Sequence, residues 1–161
     1  MNVFVQARMG SQRCPGKSLE KIGGVPSIEI VLKRLQRADA VSKVVLCTSA
    51  ERIDDPLTDF TKSLGFDVFR GSHLNLVERF AEATSRYKIT DYFLRATGDN
   101  TFMCRNEIDK IIRFGLSENC DFCSFENTTF PERNNDFAVE FLSKKGIDAA
   151  HKFSESAFER E

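Results

Sequence analysis

No stretch of this 161-residue chain approaches the roughly 20 uninterrupted apolar residues that a membrane helix needs. The opening run Met1-Asn2-Val3-Phe4-Val5 is shorter than a secretory signal requires before Arg8 interrupts it, so the expected location is the cytoplasm. Charge of one sign is also missing: 23 Lys and Arg stand against 24 Asp and Glu, a net of −1. That balance argues against a protein built to coat nucleic acid or an anionic membrane, and neither is expected as a partner. There are two histidines, His73 and His151, remote from each other and from Cys120-x-x-Cys123, which has no second pair. Zinc chemistry is therefore not expected. Cys123 sits in the apolar run Phe122-Cys123-Ser124-Phe125, where a free thiol behaves as a small core hydrophobe. Five cysteines is an odd number, which suits free thiols in a reducing compartment. Internal repeats, low-complexity tracts and linkers are absent too, so one domain spanning 1–161 is expected.

What is present is a globular composition, 41% hydrophobic and 29% charged, with an uneven distribution of charge. Residues 1–37 carry seven basic residues (Arg8, Arg13, Lys17, Lys21, Lys33, Arg34, Arg37) against Glu20 and Glu29. A compact positive segment on a neutral chain points to a local anion site, although Lys33, Arg34 and Arg37 suit a solvated helix face.

Short runs rich in Val, Phe and Tyr predict strands over 3–7, 43–48, 67–70, 91–96, 120–125 and 137–142. Between them lie helical patterns. Ile28, Val31, Leu32 and Leu35 fall at i, i+3, i+4 and i+7 over 27–37, with Pro26 at the start. Asp55-Pro56 reads as an N-cap followed by a first-turn proline, Leu57, Phe60 and Leu64 as an inward face, and Gly65 as the stop. Stripes at Leu76, Phe80, Ala83 and Tyr87, and at Ile108, Ile111 and Ile112, mark helices over 75–88 and 106–118. The alternation predicts an α/β fold, a three-layer α/β/α arrangement with a mostly parallel central sheet and right-handed crossovers. Ligands in such folds sit at the carboxyl ends of the strands, which singles out the loops over 8–18 and 97–104.

The first loop reads Arg8-Met9-Gly10-Ser11-Gln12-Arg13-Cys14-Pro15-Gly16-Lys17-Ser18. Glycines allow backbone N–H groups to turn toward an anion, and three cations lie within ten positions. It is not a P-loop: that motif needs glycine at position 15, where Pro15 stands, and Gly23-Gly24-Val25-Pro26 breaks the helix a P-loop must open into. Arg8, Arg13 and Lys17 with Gly10, Ser11 and Gly16 suit a triphosphate. In the second loop, Arg95-Ala96-Thr97-Gly98-Asp99-Asn100, a carboxylate just past a strand end suits Mg²⁺ bridging nucleotide phosphates.

Gln6-Ala7 and the motif that follows closely resemble the opening of bacterial cytidylyltransferases of the spore-coat polysaccharide type, related to acylneuraminate and 3-deoxy-manno-octulosonate cytidylyltransferases. The resemblance continues through Thr48-Ser49 and Asp54-Asp55-Pro56-Leu57, through Phe69-Arg70-Gly71-Ser72 and Val77-Glu78-Arg79-Phe80, and through Arg95 to Asn100. It implies a nucleotide-diphospho-sugar transferase fold, Rossmann-like, and Mg²⁺-dependent transfer of CMP from CTP to a sugar or sugar acid with release of pyrophosphate. By that resemblance Arg13, Lys17 and Asp99 would be catalytic. Ala7, Arg8, Met9, Gly10, Ser11, Thr48, Ser49, Arg70, Gly71, Thr97 and Gly98 would join them in holding the nucleotide. Asp99 would be the principal metal ligand. The segment Phe137-Ala138-Val139-Glu140-Phe141 departs from the family by placing alanine where a second metal ligand is expected, with Asp136 or Glu140 as substitutes. The family also continues well beyond the position of Glu161, so the expectation is a single nucleotidyltransferase domain lacking the C-terminal part that completes the acceptor site and often a homodimer contact. The alternative is a nucleotide-binding module of the same fold that has lost transfer.

Overall fold

A computed structural model describes residues 1–11, 13–124 and 139–153. Strand β1 (Asn2–Gln6) leads through a long loop and a two-strand hairpin, β2 (Lys21–Ile22) and β3 (Val25–Pro26), into α1 (Ser27–Gln36). Then follow β4 (Lys43–Ser49), α2 (Asp55–Ser63), β5 (Asp67–Gly71), α3 (Leu76–Arg86), β6 (Tyr92–Thr97) and α4 (Arg105–Ser117). The short strand β7 (Phe122–Cys123), β8 (Glu140–Ser143) and α5 (Lys144–Phe153) complete the described elements.

The sheet order is β5-β4-β1-β6-β8-β7. Strands β5, β4, β1 and β6 are parallel, and β8 runs antiparallel to both of its neighbours. The expected mostly parallel sheet with helices is what the chain forms. Alternate residues of each strand supply two cores. Val3, Val5, Leu46, Leu94 and Phe141 pack beneath α1, α2 and α4, while Phe4, Val45, Cys47 and Phe93 pack beneath α3 and α5. This period-two division is why the central strands read as unbroken apolar runs. The helical stripes behave as the spacing predicts: Ile28, Val31, Leu32 and Leu35 of α1 are fully buried, as are Ile108, Ile111 and Ile112 of α4 to within a few per cent.

Two local expectations need correction, and the helix break at Gly23-Gly24 gains a specific form. Gly23 and Gly24, at φ +60° and +86°, form the two-residue turn of the β2–β3 hairpin, a geometry that suits glycine at both positions. Local pattern marks these glycines only as a helix break, not as a hairpin. The α2 N-cap is Asp54 rather than Asp55, because a 3₁₀ turn over Arg52–Asp54 precedes the helix and leaves Pro56 inside its first turn. Finally, the crossovers do not share one hand. The steps from β5 to β6 and from β6 to β7 move the same way across the sheet, yet α3 and α4 pass over opposite faces. Burial of the α4 isoleucines against α1 and Phe141 decides that helix's face, and a β-carbon on Gly115 would lie 2.5 Å from the Phe141 ring.

The chain reverses its direction across the sheet between β1 and β6, whose last residues Gln6 and Thr97 are register partners. That reversal opens a crevice at their carboxyl ends. Among the described residues no helix is long and apolar enough to cross a membrane.

Candidate functional site

The crevice is a cleft of about 550 Å³ over the ends of β1 and β6, a size typical of small-ligand sites. Its floor is Gln6, Ala7, Thr97 and Gly98; one wall is Arg8, Ser11, Arg13, Lys17 and Ser18, and the other is His73, Leu74, Leu76 and Arg79. Asp99 closes the rim. The two loops singled out in the sequence, 82 residues apart at their nearest charged pair, therefore meet: Lys17 Nζ donates to Asp99 Oδ2 at 2.5 Å.

Local structure explains how the first loop holds its shape. Gly16 N–H donates to the Met9 carbonyl at 2.9 Å, and Gly16 adopts φ +76°, which an L side chain rarely does. The Ser27 hydroxyl donates to the carbonyls of Lys17 and Ser18, tying the far end of the loop to the start of α1. The side chains of Arg8 and Arg13 enter no ion pair among the described residues, whose cleft carboxylate, Asp99, pairs with Lys17 instead. Two unpaired guanidiniums and an ammonium on one wall can hold a polyanion with charge-assisted hydrogen bonds.

Asp99 is half-exposed. Burial alone would raise its pKa, but the Lys17 ammonium, its own backbone N–H and the Thr97 hydroxyl outweigh that and hold the carboxyl below its ordinary value. It is thus a charged, hard oxygen ligand with one oxygen not taken by Lys17, which fits Mg²⁺ bound through one carboxylate and substrate phosphates. Among the described residues no group of three or more His, Cys, Asp or Glu could hold a metal ion, and Asp99 is the one carboxylate lining the cleft. Glu140 does not join it: across the β6–β8 register its carboxylate accepts from Arg95, which also donates to Gln6 Oε1 at 2.9 and 3.1 Å. An arginine directly opposite on the neighbouring strand captures that carboxylate. Asp136 and Ala138 lie outside the described residues.

Several residues expected to face the nucleotide have other partners. Thr48 and Ser49 are buried with their hydroxyls on the Asp54 carboxylate. Arg70 donates to the Ser49 carbonyl, the Glu51 carbonyl and Asp55, fixing the turn after β4 from the outside. Gly71 has Arg79 and Glu82 against it, and its carbonyl accepts from Ala50 N–H. Met9 and Gly10 shape the loop without lining the cleft. For Thr48, Ser49 and Arg70 the reason is shared: a polar side chain at a strand end bonds the nearest backbone or side-chain partner.

Other lining residues escape a reading of the sequence. Arg79 falls in a motif that assigns it no role, yet it is 3% exposed, lines the cleft, and donates to the carbonyls of Ser72 and His73 at 2.7 and 3.1 Å. Burial and the nearby Arg8 charge lower its pKa. Its position in an otherwise amphipathic helix, a charge on the apolar face of α3, is the signal that could find it. Gln6, Ser18, Leu74 and Leu76 carry none. Gly98 has a steric role: a β-carbon there would lie 2.6 Å from the Ala7 β-carbon and 3.1 Å from the Gln6 carbonyl, to which Gly98 N–H already donates at 2.8 Å. Gly98→Ala is expected to cost about 1–3 kcal/mol by overpacking, read by urea unfolding. Unchanged stability would mean the strand ends can part without loss.

A family model described as "Cytidylyltransferase" matches residues 2–157. The Methanocaldococcus jannaschii protein MJ1063 is 32% identical over 150 residues, covering 93% of this chain and 61% of that protein. The Bacillus subtilis spore coat polysaccharide biosynthesis protein SpsF is 33% identical over 123 residues, covering 74% and 51%. The 3-deoxy-manno-octulosonate cytidylyltransferase of Pelobacter propionicus is 32% identical over 115 residues, covering 70% and 44%. The chain thus spans roughly half the length of these curated relatives. Among solved structures, a cytidylyltransferase from Leptospira borgpetersenii superposes with a TM-score of 0.90 at 28% identity, covering 99% of this chain and 67% of that one. A CMP:2-keto-3-deoxy-manno-octonic acid synthetase complexed with CTP shares the fold at a TM-score of 0.73 and 16% identity, covering 96% and 78%.

Proposed function

This chain belongs to the cytidylyltransferase family, and from that premise we propose that it takes part in transferring CMP from CTP to a sugar or sugar acid in polysaccharide or glycan biosynthesis. The observation that carries the reading is the Lys17–Asp99 pair, which joins a basic loop to the one carboxylate that lines the crevice among the described residues. Arg8, Ser11, Arg13 and Lys17 hold the triphosphate. Thr97, Gly98 and Asp99 form the floor and rim beneath it. Asp99 would hold Mg²⁺, which when bound would supply charge neutralisation.

The acceptor's hydroxyl oxygen attacks the α-phosphorus in line, the bond from that phosphorus to the bridging oxygen breaks, and pyrophosphate departs as the hydroxyl proton is released. Negative charge grows on the departing pyrophosphate. Arg13 and Lys17 stabilise that charge, and the gain is larger in the transition state because the cations are already in place. The chemistry asks for positioned charge rather than a covalent intermediate, which matches a wall of cations.

Thermal unfolding with Mg²⁺ and CTP, UTP, GTP or ATP tests the nucleotide half. Ligand at about 100 times its dissociation constant adds roughly 2.7 kcal/mol, several degrees for a chain of this size. A CTP-selective rise is expected; no rise with any nucleotide would overturn the reading. The second reading, a module that binds CTP without transferring CMP, has one observation in its favour: Arg95 occupies Glu140 and leaves Asp99 as the single cleft carboxylate among the described residues. Pyrophosphate release with 3-deoxy-manno-octulosonate or another sugar acid separates the two readings.

A further inference from the structure

We propose that Asp54 is a positioning residue for the basic loop, holding the Met9 peptide so that the loop's cations face the cleft; this rests on the nucleotide reading above. Asp54 is fully buried and lies outside the cleft lining, so it touches no ligand there. Its carboxylate accepts four hydrogen bonds. Oδ1 accepts from Met9 N–H at 2.7 Å, and Oδ2 accepts from Thr48 Oγ1 at 2.9 Å, Ser49 N–H at 3.1 Å and the Ser49 hydroxyl. Burial alone would raise its pKa, but these bonds outweigh burial and keep it ionised.

Three of the four bonds are local, closing the turn that follows β4. A neutral side chain could close such a turn, since Asx and ST turns do so routinely. The fourth bond spans 45 residues to Met9 and is the one that needs an acceptor on the far side of the carboxyl group. Met9 is then held through both of its backbone polar groups: its N–H donates to Asp54, and its carbonyl accepts from Gly16 N–H at the other end of the loop. Gly16 is the immediate neighbour of Lys17, whose ammonium meets Asp99. A continuous path runs from Asp54 through Met9 and Gly16 to the cation at the rim. The turn carrying Asp54 is itself braced by Arg70, which donates to the Ser49 and Glu51 carbonyls and to Asp55, so the anchor is a rigid one. Thr48, Ser49 and Arg70 thereby hold the anchor rather than the ligand.

Asp54→Asn keeps the size of the side chain but cannot accept from both Met9 N–H and Ser49 N–H, because its amide nitrogen must face one of these two donors. The expected result is a rise of about tenfold or more in the dissociation constant for CTP with Mg²⁺, as a misplaced binding loop produces. The comparison variant is Ile112→Ala, which empties part of the core beneath α4, away from the cleft lining, and leaves the Met9 bond. Its CTP affinity is expected to stay within about twofold of the parent, although it too loses unfolding stability. A purely structural role for Asp54 would make affinity follow stability equally in both proteins, and that outcome overturns the proposal, as does an Asp54→Asn protein with parental affinity.

Should Asp54→Asn fail to fold, amide hydrogen exchange on the parent protein without ligand decides. Met9 N–H is expected to exchange as slowly as amides in β4, and exchange at the rate of an open loop would overturn the anchor. Failure of the parent chain to bind CTP would instead overturn the nucleotide reading, and the Met9 exchange rate would then judge the anchor independently.

Discussion

Asp99→Ala and Lys17→Ala are each expected to lower the rate of pyrophosphate release from CTP at least about tenfold, roughly 1.4 kcal/mol of transition-state stabilisation. The two groups bond each other at 2.5 Å, and both are partly exposed at the cleft rim, at 50% and 32% of their side-chain surface. At such exposure the pair adds little to folding, since solvent screens it. On the proposed reading its value lies in placing opposite charges where a triphosphate and its metal ion would sit. Truncating Asp99 removes the single cleft carboxylate among the described residues. Truncating Lys17 removes a cation and also frees Asp99 to repel phosphate. The losses should therefore not add: because each residue acts partly through the other, the double variant is expected to fall short of the product of the single effects. Steady-state assays on the three variants, with unfolding curves confirming folded protein, provide the check. Full activity in both single variants would show that the reacting phosphate lies elsewhere.

The largest effect on stability is expected from Phe4→Ala. Phe4 lies in the middle of β1, itself inside the sheet, with no solvent exposure. Its ring makes edge-to-face contacts with Phe93 at 5.6 Å and Tyr87 at 5.7 Å, joining β1, β6 and the end of α3 in one aromatic group. Removing a buried phenyl ring costs about 3–5 kcal/mol through lost transfer energy and the cavity left behind. For a chain of this length that lowers Tm on the order of 10 °C. Phe4→Leu, which keeps most of the volume, should lose much less. Denaturant midpoints measure both, and a Phe4→Ala loss below about 1 kcal/mol would contradict the packing. The site should feel the change too, because Gln6, two residues on and on the same face of β1, forms part of the cleft floor.

Most of the architecture was legible in the chain. Apolar strand runs and the stripes of α1 and α4 were readable because burial on one helix face or both sheet faces imposes a period on the residues themselves. The basic loop was readable because glycines and cations crowd into a few consecutive positions. So was Asp99, placed just past a strand end, and their meeting followed from where parallel sheets carry their loops. Thr48 and Ser49 show the limit of such reading. A motif places them near the nucleotide, and the fold turns their hydroxyls onto Asp54 instead.

What depended on the tertiary structure was the choice of partner. Glu140 is an acidic residue near a candidate metal ligand in any linear reading, but strand register sets it opposite Arg95 and removes it from the cleft. Arg79 reads as one more charge on a helix, and only packing under the β5–α3 connection makes it a buried guanidinium on the cleft wall. The Met9–Asp54 bond joins residues 45 positions apart, a separation at which no local periodicity carries information. Local order follows from neighbours in the chain and can be read there; the pairing of buried charges depends on which strands lie side by side, and that is decided when the whole sheet closes its core.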